Sequence, residues 1–143
     1  MLAATAILLA IMFSVSLYIN PLIDGQDGSG LLKLQLAFSK QKGLDIISDW
    51  GETGLDYYRR WFFIDYLYAL SYSTFLASLL SRQILRSGKN PAAALRACIP
   101  VALAAGLLDW LENSLEYVFI QSPAGFPDTL FFFHSLIAAA KWL

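Results

Sequence analysis

Cysteine, histidine and charge are all scarce in this chain: 143 residues carry one cysteine, one histidine and 15% charged side chains. A lone Cys98 forms no internal disulfide, and its place in an apolar run reads as buried filler. One histidine excludes the paired Glu-x-x-His ligands of a di-iron carboxylate bundle, and a bis-histidine haem within one copy. Gly-x-Ser-x-Gly, Walker A, His-Glu-x-x-His and Cys-x-x-Cys signatures are all missing. Gly51-Glu52-Thr53-Gly54 reads as a hinge rather than a phosphate cradle. The net charge is −1 and no basic patch is interleaved with aromatics, so no nucleic-acid partner is expected.

Apolar residues are abundant. Hydrophobic content is 57% and mean hydropathy +0.55, both above the range of an ordinary soluble domain. The expectation is an all-α fold: one membrane domain covering 1–143, with transmembrane helices at 2–20, 61–81, 95–120 and 128–143. The first span is uncharged and closed by Asn20-Pro21. It lacks a basic leader and a small-x-small cleavage site before Pro21, so it reads as an uncleaved anchor rather than a signal peptide. The last span is short: it either crosses with help from its neighbours or continues in a longer native chain.

Arg82, Arg86 and Lys89 lie between the second and third spans and Arg96 at the start of the third, with no acid among them. The positive-inside rule puts that link, and with it both termini, in the cytoplasm, and a bacterial inner membrane is the expected setting. The loop 21–60 and the turn 121–127 then lie on the other side. Asp24-Gly25 and Gly28-Ser29-Gly30 mark a flexible entry to the loop. Leu32, Leu34, Leu36 and Phe38 alternate with other residues, which suggests a short extended stretch. Ser39 as N-cap and Gly51 past the end delimit a helix over 40–50 with an apolar edge of Leu44, Ile47 and Trp50. Such a helix suits an amphipathic cap on the extracytoplasmic face. Gly54 then releases the chain into Tyr57, Tyr58, Arg59 and Arg60, an interface anchor. Asn90-Pro91 suits the start of the third helix.

Within these spans sit acids. Asp109, Glu112, Asn113 and Glu116 follow the spacing i, i+3, i+4, i+7 and share one helical face. Lipid opposes this, at about 2.5–3.5 kcal/mol per carboxylate at a helix centre. Asp65, Ala69, Ser73 and Ala77 form a second stripe, flanked by Tyr68 and Tyr72. Ala102, Gly106, Asp109 and Asn113 form a third, so acids and small packing residues coincide on both helices. Counted at about 1.5 Å per residue, Asp65, Glu112, Glu116 and His134 reach similar depths, and Lys141 reaches toward Asp109. The lysine has an alternative, which is to snorkel to the cytoplasmic face. The expected polar network is Asp65, Tyr68, Tyr72, Asp109, Glu112, Asn113, Glu116, His134 and Lys141. Asp65, Glu112 and His134 are its acid–base candidates, and the plainer reading is inter-helix hydrogen bonding alone. Neither a metal nor a cofactor is expected. His134 is the one residue that offers a ligand to the magnesium of a pigment, and membership of the network is preferred for it.

Leu36-Ala37-Phe38 with Ser39, Ile47, Trp50-Gly51, Gly54, Arg60, Asp65-Tyr66, Tyr68 and Tyr72 form one set of short motifs. Leu108-Asp109, Leu111-Glu112-Asn113 and Lys141 form another. Together they resemble a family of small bacterial four-helix membrane proteins with no assigned activity. The resemblance implies a four-helix membrane fold and marks Asp65, Asp109, Glu112, Asn113 and Lys141 as polar members. It implies no substrate. Glu116 lies outside the pattern, and the family's last helix would continue beyond Lys141.

Three functions fit. The preferred one is an accessory or structural subunit of a larger membrane complex, packing through Phe62, Phe63, Phe131, Phe132 and Phe133, with the bilayer and a membrane-protein partner or a second copy around it. The others are a membrane-embedded acid–base enzyme acting on a lipid or isoprenoid, and a small proton-coupled carrier.

Overall fold

The computed structural model describes residues 2–86, 93–123 and 125–142. Among the described residues the fold is entirely helical: α1 (Leu2–Asp24), α2 (Gly30–Gln35), α3 (Lys40–Arg86), α4 (Ala93–Gln121) and α5 (Asp128–Trp142). Two of these, α1 and α3, are long and apolar enough to cross a membrane. The acids of α4 lower its hydropathy. The 15 residues of α5 span roughly 22 Å, short of a hydrocarbon core of about 30 Å.

The helices pack in the order α1, α3, α4, α5, and α2 touches α1, α3 and α5. Among the described residues the backbone of α1 does not come close to that of α4 or α5, and α2 lies across that side. The small-residue stripes meet as their spacing requires. Gly106 faces Ser73 and the Ala69 carbonyl so closely that an added Cβ would lie 2.7 Å from Ser73 Oγ. Ala69, Ser73, Ala102, Asp109 and Asn113 are all buried in that seam.

Several local expectations change. The stretch expected to be extended is the helix α2, with Ser29 before it. Its alternation was too short to exclude a helical period: Leu31, Leu34 and Gln35 turn inward while Leu32 and Leu36 stay exposed. Helix α1 runs through Pro21 to Asp24 instead of ending at Asn20. Asp24 then accepts backbone N–H bonds from Gln26, Gly28 and Gly30, which fixes the turn. The Ser29 hydroxyl and backbone N–H hold the nearby Asp27 carboxyl below its ordinary range.

Expected helix 40–50 and span 61–81 are two parts of α3, whose one non-helical residue is Gly51, at φ 61° and ψ −176°. Gly54 is no release point. It lies inside α3 against α1, where a Cβ would sit 2.1 Å from the Ile23 carbonyl oxygen. The start of α3 is tied to the turn before α5 by Lys40 Nζ donating to the Phe126 carbonyl at 2.6 Å, and the turn preceding α3 is tied to α5 by the Phe38 N–H donating to Ser135 Oγ at 3.1 Å. Asn90-Pro91 lies outside the described residues.

The apolar core gathers at the α2 end: Ile23, Leu34, Ile47, Trp50, Trp61, Phe119, Phe126 and Phe131. Phe131 therefore belongs to the interior, because it shares its face of α5 with buried His134, Ser135 and Ala138. Phe63, Phe132 and Phe133 are exposed. Cys98 is exposed as well, not buried filler.

Candidate functional site

Helix α4 supplies the floor of a polar interior. Asp109, Glu112, Asn113 and Glu116 are each at most 4% exposed, and they face α3 and α5. The helical period alone aligns them, and small residues beside them let the neighbouring helices close in.

Two linked groups form on this face. In the first, Lys141 of α5 places Nζ 2.7 Å from both Asp109 Oδ1 and Glu112 Oε2. The lysine therefore points into the protein and does not snorkel. In the second, Glu116 is held from two sides: the Tyr58 hydroxyl donates to Oε2 at 3.0 Å, and His134 Nε2 lies 3.2 Å from Oε1. Phe119 and Phe131 pack on the His134 ring at centroid distances of 5.3 and 5.4 Å, which keeps water out. Glu112 Oε1 and His134 Nδ1 are buried without a hydrogen-bond partner. Glu112, Glu116 and His134 bring possible ligand atoms within 4.8 Å of one another, so among the described residues these three could hold a cation. Hydrogen bonding from Tyr58 and His134 to Glu116 accounts for two of the three without one.

Asp65 does not join Glu116 and His134. It lines a cavity of about 470 Å³. Phe13, Ser16, Leu17 and Asn20 of α1 form one wall, Trp61, Asp65, Tyr68 and Tyr72 of α3 a second, and Asp109 and Lys141 close it, with the α2 segment across one end. The cavity occupies the side on which the backbone of α1 does not come close to that of α4 or α5. The Tyr72 hydroxyl donates to the Ala105 carbonyl at 3.1 Å. Among the described residues no lysine, arginine or histidine forms a salt bridge with Asp65, whereas Asp109 has Lys141. On α1, Asn20 turns Nδ2 toward Ser16 Oγ at 3.4 Å and leaves Oδ1 buried without a partner.

Sequence reasoning missed two contributors. Tyr58 was assigned to an interface anchor but is only 2% exposed and bonds Glu116. The signal was present, since Tyr58 stands seven residues before Asp65 and hence on its face. Asn20, a helix end by sequence, lines the cavity. Comparison with protein-family models, with curated proteins and with solved structures finds no match to this chain.

Proposed function

We propose that this is a multi-pass integral membrane protein that takes an amphiphilic small molecule into the cavity beside α1, with Asp65 meeting its polar head. The observation that carries this reading is the cavity itself: a carboxylate without an ion-pair partner stands in a space of lipid-head size, while Phe13 and Leu17 line it with apolar surface. Large exposed side chains, including Ile7, Leu17, Phe63, Leu107 and Phe133, support immersion in lipid. In that setting all four long helices belong to the bundle, α5 being completed by its neighbours. Orientation follows from the arginines near the α3–α4 connection, which put the termini in the cytoplasm.

This reading replaces the accessory-subunit expectation as the leading one, because helix-gluing polar contacts do not call for an open, charged cavity. Acid–base turnover of the occupant is compatible with it, through Asp65 and the neighbouring tyrosines. Native mass spectrometry of protein released directly from its membrane tests the proposal. The expected result is one retained amphiphile per chain, lost in Ser16→Phe, which fills the cavity from α1. A stoichiometric protein partner with no retained small molecule would overturn it and restore the subunit reading.

A further inference from the structure

We infer that the amphiphile carries a cationic, hydrogen-bond-donating head, of the class of long-chain amines. This rests on the cavity reading above and adds the chemistry of its occupant. The cavity wall has acceptors in excess. Asp65 faces it without a salt-bridge partner among the described residues, and Asn20, whose Oδ1 is buried without a hydrogen bond, lines the α1 wall. The strongest local donors are already engaged: Lys141 spans Asp109 and Glu112, and the Tyr72 hydroxyl is held by Ala105.

Charge tells the same story. Four carboxyl groups, of Asp65, Asp109, Glu112 and Glu116, stand against one lysine, Lys141, while His134 is bound to Glu116. Lys141 is shared by two carboxylates, so the interior lacks positive charge. Asp65 is half-buried; a carboxylate drawn out of water without an ion-pair partner is costly, and an incoming cation lowers that cost. An anionic head would add to it. An alcohol brings one donor and no charge, whereas an ammonium brings three donors and a charge. Trp61, Tyr68 and Tyr72, on the same helix as Asp65, line the same cavity, and aromatic rings favour a nearby cation.

Dodecylamine, protonated at neutral pH, and dodecanol differ in head group but match in tail. Each is titrated against the full chain in phosphatidylcholine nanodiscs and the bound fraction read by native mass spectrometry, with empty discs as blank. The amine is expected to bind at least tenfold more tightly than the alcohol. Asp65→Asn should erase that ratio, Asp65→Glu should keep it, and Ser16→Phe should weaken both ligands. Equal binding of both by the unaltered chain, weakened by Ser16→Phe, overturns the head-group assignment and leaves the amphiphile reading standing. Retention of neither overturns both. Where Asp65→Asn fails to fold, the ratio in the unaltered chain decides.

Discussion

Lys141 Nζ stands 2.7 Å from Asp109 Oδ1, an ion pair that joins α5 to α4 across 32 residues of sequence. Its partner side is nearly dry, with side-chain exposures of 9% and 6%. Removing one member of such a pair strands the other.

Lys141→Met should therefore destabilise the fold by about 3–5 kcal/mol, since it leaves Asp109 and Glu112 without their cation. The triple variant Lys141→Met, Asp109→Asn, Glu112→Gln should recover most of that loss, because no charge is then left unpaired. Reversible unfolding in mixed micelles measures both. A triple variant no more stable than Lys141→Met would mean that the lysine acts through packing of its stem and not through its charge.

Tyr58 and His134 both grip Glu116, one at each carboxylate oxygen. Tyr58→Phe should cost about 1.5–3 kcal/mol, the usual worth of a hydrogen bond to a charged acceptor. The two residues share one partner, so their effects should not add. A double-mutant cycle of Tyr58→Phe with His134→Gln is expected to show a coupling of about 0.5–3 kcal/mol. Strict additivity would indicate that Glu116 does not link them.

Two glycines of α3 separate backbone strain from steric clash. At Gly51 a Cβ meets nothing within 4 Å, so Gly51→Ala suffers only from the positive φ of 61°, of order 1–3 kcal/mol. At Gly54 the Cβ would lie 2.1 Å from a main-chain oxygen of α1, which cannot swing aside. Gly54→Ala should push α1 away from α3 and lower the thermal midpoint more than Gly51→Ala does. The reverse order would show that the α1–α3 contact yields easily.

Periodicity made helices, acids and small-residue seams legible before any coordinates, because these follow from the 3.6-residue repeat along one element. The Lys141–Asp109 contact also emerged, since two charges at matching depth in a poor solvent have few other ways to lower their energy. What periodicity did not carry was the angular placement of α1. Its residues are apolar nearly all round, so no face announces a partner, and the cavity it walls with Ser16 and Asn20 went unseen. The role of Asp65 changed for the same reason: depth alone grouped it with Glu116 and His134, whereas it also lines the cavity that α1 walls. Tyr58 was misread because aromatic-then-arginine composition describes an interface and a helix start equally well.

Orientation gives a prediction that needs neither ligand nor purified protein. Gln26 follows α1 in the exposed turn, and Arg86 closes α3 at the opposite end. With Cys98→Ser as background, since Cys98 is itself exposed, Gln26→Cys should react with a membrane-impermeant maleimide in intact cells. Arg86→Cys should react only after the membrane is opened, because the arginines of that region are retained on the cytoplasmic side. Labelling in the reverse pattern would invert the topology and put the α2 end of the cavity on the cytoplasmic side. Labelling of both sites from outside would mean that α3 does not cross the bilayer at all. In that case the carboxylates of α4 would be kept from water by helix packing alone and not by lipid.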